Sequence, residues 1–152
     1  KGKFMSLKAS TGLRNYMLIT GSLKAALDGG YIRIYASTVP VDADAAIADE
    51  AGQRLCTITK DGDGTTGLTI ASTASSGTVT KANEVWQGTN SATGTATFWR
   101  FYKTGDTGGA STSLVRLQGL AATSGSELVM TSTSLVSGAP QAISYFSVSL
   151  PA

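Results

Sequence analysis

Four of the five residues in Phe98-Trp99-Arg100-Phe101-Tyr102 are aromatic, and no other stretch of the chain constrains its fold as tightly. Successive side chains of an extended strand point to opposite faces. Across residues 95–103, Ala96, Phe98, Arg100 and Tyr102 therefore fall on one side, and Thr97, Trp99, Phe101 and Lys103 on the other. Aromatic rings occupy both. Such a strand has to be covered twice, which places it inside a sheet with a second sheet or helices packed over it.

The remaining alternation supplies its neighbours. In Tyr31-Ile32-Arg33-Ile34-Tyr35 the two isoleucines share one face, and Tyr31, Arg33 and Tyr35 the other. Residues 53–59 alternate Leu55, Thr57 and Thr59 against Arg54, Cys56 and Ile58. Two Asp-Gly steps in Asp61-Gly62-Asp63-Gly64 signal a hairpin or a loop at a sheet end before Leu68-Thr69-Ile70 resumes the pattern. A second hairpin is expected around Ser75-Ser76-Gly77, leading into Val79, Ala82 and Val85-Trp86. Residues 114–118, 127–131 and 143–150 read as further strands. The last is a long closing strand carrying Ile143, Tyr145, Val148 and Leu150, with a bulge suggested by the offset Phe146.

Helical grammar is confined to residues 9–29. Ser10 or Thr11 can cap a short helix with Leu13, Met17 and Leu18 as its apolar positions. Ser22 can cap a second over residues 23–28, stopped by Gly29-Gly30. The Asp- and Ala-rich connection 41–51 has room for one irregular helical turn. Eight or so short strands spaced by about 8–12 residues, with Gly-, Ser- and Asn-rich turns, predict a mainly β fold. The expected form is an antiparallel β-sandwich or jelly-roll-like domain over residues 1–152, with one or two short N-terminal helices and an extended N-terminal arm over residues 1–9.

Composition narrows function more than fold. The chain has no histidine, which removes the usual general base and the commonest transition-metal ligand. Its one cysteine, Cys56, cannot form an internal disulfide or a thiolate cluster, and its alternating context reads as a buried small hydrophobe. No glycine-rich phosphate-binding motif is present. Abundant Ser and Thr without a base do not make a nucleophile. Asp61 and Asp63 have the spacing of a calcium-loop fragment, but the twelfth position is Ser72, so a tight turn is the better reading. Glu84, Glu127 and Asp106 could serve as paired carboxylates only if something brought two together, and no spacing does. The expectation is a non-enzyme with no cofactor and no metal.

Surface character offers more. Gly, Ser and Thr make up 57 of 152 residues, while charged residues are only 14% against roughly 25% in ordinary domains. The surface must be built from hydroxyls and backbone. Residues 1–40 hold six Lys/Arg against the single Asp28, whereas residues 41–152 hold six against nine acids. Those cations (Lys1, Lys3, Lys8, Arg14, Lys24 and Arg33) are dispersed, which argues against nucleic acid and leaves a basic leader able to meet an acidic protein surface. No apolar run reaches 18 residues, so no membrane span is expected. The leader has no apolar segment of the kind a secretory signal needs. Trp86 beside Glu84, and Trp99, could face a sugar or a subunit, although core packing is the common use of such residues.

Three blocks carry a resemblance. Ser10-Thr11-Gly12-Leu13-Arg14-Asn15, residues 22–35 and Pro40-Val41-Asp42-Ala43-Asp44-Ala45-Ala46 resemble the opening of small structural proteins encoded among virion genes of tailed bacteriophages. Residues 81–90 and 91–101 continue it, so it covers most of the chain. The resemblance implies no catalytic residue. It implies a virion protein assembled in the host bacterial cytoplasm, foremost a capsid decoration (cement) protein or head-fibre base. Its partners would be copies of itself, a trimer being one option, and the major capsid protein. Within that class a tail tube, terminator or baseplate-associated protein is the alternative; outside it, a carbohydrate-binding receptor module. The expected interface residues are Lys3, Phe4, Lys8, Arg14, Trp86 and Trp99.

Overall fold

The computed structural model of the chain describes residues 7–152. Lys3 and Phe4 lie outside the described residues. Strand occupies 38% of the described residues and helix 13%, so the fold is mainly β. The strands are β1 (Lys8–Ala9), β2 (Tyr31–Tyr35), β3 (Arg54–Lys60), β4 (Ile70–Ser75), β5 (Thr78–Lys81), β6 (Trp86–Thr89), β7 (Gly94–Thr95), β8 (Phe98–Tyr102), β9 (Arg116–Leu120), β10 (Leu128–Val129), β11 (Ser134–Leu135), β12 (Pro140–Ile143) and β13 (Tyr145–Ser149). The α-helices are short: α1 (Thr11–Asn15), α2 (Leu23–Leu27) and α3 (Glu50–Gln53), with a π-helical turn at Tyr16–Thr20 directly after α1.

A seven-stranded sheet runs in the order β1-β9-β8-β2-β3-β6-β12, a four-stranded sheet in the order β10-β13-β5-β4, and β11 pairs with β7. The pairs between these strands are antiparallel. Strand β8 lies inside the large sheet, and all five of its residues are buried, as its two aromatic faces require. The register sets Trp99 opposite Ile34 and Phe101 opposite Ile32 on one face, and Phe98 opposite Tyr35 and Arg100 opposite Arg33 on the other.

The first face forms a sandwich-like core. Ile32, Ile34, Cys56, Ile58, Trp99 and Phe101 cluster with Leu128, Phe146 and Val148 from the smaller sheet. Phe146 is the hub of the rings, with its centroid 5.3 Å from Trp86, 5.6 Å from Trp99 and 5.9 Å from Phe101. Room for Trp99 comes from Gly119 on β9, where an added Cβ would stand 2.5 Å from the indole ring. Among the described residues, neither a sheet nor a helix bundle covers the second face of β8. The connections 36–53 and 103–115 fold over it, with Ile47 packed against Tyr35 and Phe98.

Several local expectations need correction. Leu18, an apolar position of the expected first helix with Leu13 and Met17, is 80% exposed. The π turn, closed by Gly21 N–H to Tyr16 C=O at 3.0 Å, has more residues per turn than an α-helix, so the apolar phase set by the buried Leu13 is lost. Arg54 was placed on the face of Cys56. Because Cys56 pairs with Ile34 while Arg54 pairs with Tyr35, a bulge at Leu55 moves Arg54 to the face of Arg33. Of the two forms expected for Asp61-Gly62-Asp63-Gly64, the structure shows the loop at a sheet end and not the hairpin, since it joins β3 and β4, which belong to different sheets.

The closing stretch is two strands. Ile143 ends β12 opposite Trp86 and Tyr145 opens β13 opposite Val129. Ser144 thus marks a change of sheet where one long strand with a bulge was expected, and Tyr145 and Leu150 are exposed. Of the extended arm expected over residues 1–9, residues 1–6 lie outside the described residues, and Lys8 and Ala9 pair with Gln118 and Leu117 as β1. Three elements fall as the sequence predicts. The Ser10 side chain accepts from Leu13 N–H at 3.0 Å and Ser22 from Ala25 N–H at 3.1 Å. The hairpin joining β4 and β5 turns at Ser76 (φ 50°) and Gly77 (φ 73°), the positive angles that a two-residue turn of this hand needs.

Candidate functional site

Two features of the molecule could carry function: a buried polar layer on the second face of the large sheet, and an apolar groove beside α1 and the π turn. The polar layer begins with arginines at alternate strand positions. Arg116 Nε and Nη2 hold both oxygens of Asp106 at 2.6 and 2.8 Å, and its remaining donors reach Ala43 C=O at 3.2 Å and Gly109 C=O at 2.6 Å. Arg100 Nη2 and Nε bond Gln118 Oε1 at 2.6 and 3.2 Å, and Nη2 also reaches Ala45 C=O at 3.1 Å. Gln118 in turn donates to Pro40 C=O at 3.0 Å.

Each guanidinium therefore holds part of a long connection down on the sheet. Arg100 and Arg116 are both 1% exposed. Burial, with Arg116 adding repulsion, draws the Arg100 pKa down to about 10, so it remains charged at neutral pH. Burial alone would raise the Asp106 carboxyl, but the hydrogen bonds from Arg116 and from Gly108 N–H more than offset this and its pKa is lowered. A little further along, Glu50 accepts from Arg33 at 3.0 Å and from the Tyr35 hydroxyl at 2.7 Å. Most polar atoms of this layer are bonded internally, although Arg100 Nη1 and Arg33 Nε are buried without a hydrogen-bond partner among the described residues. The layer anchors the two connections and presents no open carboxylate pair or nucleophile.

The groove is of another kind. About 370 Å³ in volume, it is lined by Ala9, Leu13, Met17, Leu23, Leu117 and Val148 among others, with Arg14 as the charged residue in its lining. The exposed Leu18 and Leu150 border it, and Ile19, next on the π turn, is 88% exposed. None of the five residues of the π turn is buried. A second, larger groove of about 800 Å³ adjoins the first through Leu7, Ser149 and Leu150, and continues over Val129, Tyr145 and Glu127. Together they form an apolar strip along one end of the molecule.

Only part of the expected interface meets there. Arg14 lies at the groove, its Nη2 donating to Thr11 Oγ1 at 2.9 Å; Lys8 is half-buried on β1. Trp86 and Trp99 are 1% and 0% exposed and so present no face to a subunit or a sugar. Trp86 Nε1–H donates to Glu84 Oε1 at 2.9 Å, and Glu84 Oε1 also accepts from Thr69 N–H at 2.8 Å, so the Glu84–Trp86 pair braces β6 against the start of β4. Asp63 accepts from Thr66 and Thr65 within its own turn. The Thr66 hydroxyl bond, with those two backbone N–H groups, draws its pKa down to about 2. Cys56 is buried, and burial pushes its thiol up to about 12.

Sequence reasoning missed Leu18 and Ile19 as surface residues and Asp106 as the partner of Arg116. The first could not be found, because nothing in the sequence announces a π turn. The second had a signal in Arg116 and Gln118, polar residues at alternate positions of an apolar strand. Among the described residues no cluster of three or more His, Cys, Asp or Glu side chains could hold a metal ion, and no helix is long and apolar enough to cross a membrane. Comparison of the chain with protein-family models, with curated proteins and with solved structures gave no match.

Proposed function

We propose that this protein is a non-enzymatic structural subunit of a tailed-phage virion, foremost a decoration (cement) protein or head-fibre base that strengthens the capsid through contacts with copies of itself and with the major capsid protein. The observation that carries the reading is the pair Leu18 and Ile19, 80% and 88% exposed beside an apolar groove. Large apolar side chains gathered on a surface otherwise made of small polar groups mark a place where another protein sits. The low charge of the chain supports the same reading, since a surface covered by neighbours in an assembly has little need of Lys and Glu. The sequence resemblance to virion proteins supplies the kind of assembly.

Its test is fractionation of the phage that encodes the chain into tailless heads and free tails, with mass spectrometry of each. The expected result is the protein on heads, and heads that break more readily on heating or dilution once it is stripped. Recovery from tails alone would move the protein to the tail tube, terminator or baseplate and overturn the capsid reading. Binding of the isolated protein to host glycans, with none to virions, would overturn the structural reading altogether.

A further inference from the structure

Asp-Gly steps occur at Asp28, Asp61 and Asp63. An aspartyl carboxyl next to a glycine amide can close a succinimide ring, because glycine has no side chain to block the approach. The fold restrains two of the three. Asp28 Oδ1 accepts from Ile70 N–H at 2.8 Å and Oδ2 from Lys24 Nζ at 2.7 Å, while Gly29 N–H donates to Leu68 C=O at 2.9 Å. Asp63 Oδ1 accepts from the N–H groups of Thr65 and Thr66 at 2.8 and 2.7 Å and Oδ2 from the Thr66 hydroxyl, while Gly64 N–H donates to Thr59 Oγ1 at 3.0 Å. In both steps the carboxyl and the amide that would attack it are each held by another partner. The same bonds, the Thr66 hydroxyl foremost, draw the Asp63 pKa down to about 2, so the protonated acid that loses its hydroxyl is scarce there.

We propose that Asp61 is a modification site, at which the chain isomerises without an enzyme to isoaspartate through a succinimide formed with Gly62. Asp61 is exposed, and its carboxyl accepts no hydrogen bond from the described residues. Asp61 (φ 57°) and Gly62 (φ 69°) are both left-handed, which an L-residue with a side chain adopts at a cost. The bonds closing this turn, Gly62 N–H to Thr59 C=O at 3.4 Å and Asp63 N–H to Lys60 C=O at 3.3 Å, are long for their kind. A Cβ built on Gly62 would meet nothing nearer than 3.6 Å, so the turn has room to rotate into the closing geometry.

The Gly62 backbone nitrogen attacks Asp61 Cγ. The N–Cγ bond forms, the Cγ–OH bond breaks, and the hydroxyl leaves with the amide proton as water. Water then adds back at one of the two ring carbonyls. Addition at Cγ restores aspartate; addition at the main-chain carbonyl leaves the chain running through the side chain as isoaspartate, with mass unchanged. The product carries one more backbone carbon inside the turn. No partner takes part, so the inference stands apart from the virion reading.

The test is peptide mapping of the full chain aged at neutral pH, with electron-transfer fragmentation to separate Asp61 from Asp63 in the peptide that follows Lys60. Isoaspartate is expected to accumulate at Asp61 several-fold faster than at Asp28 or Asp63 in the folded protein, and at nearly equal rates at all three in urea. Labelling by an isoaspartyl methyltransferase is expected to fall several-fold in aged Asp61→Glu, whose larger ring closes far more slowly. The proposal is overturned if Asp61 is no faster than the other two in the folded protein, if urea leaves the ratios unchanged, so that sequence and not fold selects the site, or if Asp61→Glu is labelled as strongly as the natural chain.

Discussion

Removing the Asp106 carboxylate would leave Arg116, 1% exposed, as a charge with two carbonyl partners and no counter-ion. Breaking one side of such a buried pair costs about 3–5 kcal/mol, so Asp106→Ala is expected to lower stability to urea by that order. Because the pKa of Asp106 is lowered in the fold, its contribution is fully present above the ordinary value of about 3.9 and is lost as pH falls through the lower folded value. Asp106→Asn is therefore expected to flatten the acid limb of stability below about pH 4, measured by chemical denaturation across pH. A wild-type acid limb retained in that variant would count against the assignment. Cys56 gives a second check at this scale. With its thiol pushed up to about 12 by burial, a disulfide-exchange reagent is expected to leave it unreacted in the native protein and to titrate it on unfolding.

At the scale of elements, a few side chains decide where the chain turns. Ser10 accepts from Leu13 N–H and from Arg116 N–H, and donates to Leu114 C=O at 2.8 Å, so it caps α1 and fastens it to β9 at once. Ser10→Ala is expected to cost about 1–2 kcal/mol, against a few tenths for Ser76→Ala in the exposed hairpin turn, compared by thermal denaturation. Gly119→Ala forces a methyl into the ring of Trp99; overpacking of this kind costs about 1–3 kcal/mol, and a quenched or shifted tryptophan emission should accompany it. Element types were legible where local chemistry acts alone, as at the Ser22 cap, the Ser76-Gly77 turn and the two-faced strand β8. They were illegible where a distant partner chose the outcome. The bulge at Leu55 and the change of sheet at Ser144 follow from which strand lies alongside, and only the offset of Phe146 against Ile143 hinted at the second.

Across the described residues the core is mainly apolar, but three charged side chains, Arg100, Asp106 and Arg116, are buried with it while several large apolar ones lie outside. Arg100, Arg116 and Asp106 hold two long connections over the large sheet, while Leu18, Ile19 and Leu150 face outward. The mainly β class could be read from alternation, and the low surface charge from composition. The position of the apolar strip could not, because it depends on a π turn and on residues of β1, α1 and β13 converging on one groove. In this account Leu18 and Ile19 contribute nothing to folding and a great deal to assembly. Burying each against a partner is worth about 1.5–3 kcal/mol, so losing both should weaken assembly by roughly a hundredfold or more. The most direct measurement is therefore rebinding of purified protein to stripped phage heads, comparing the natural chain with Leu18→Asp and Ile19→Asp. The account predicts variants with unchanged melting temperature that no longer rebind, and rebinding at undiminished affinity would contradict it.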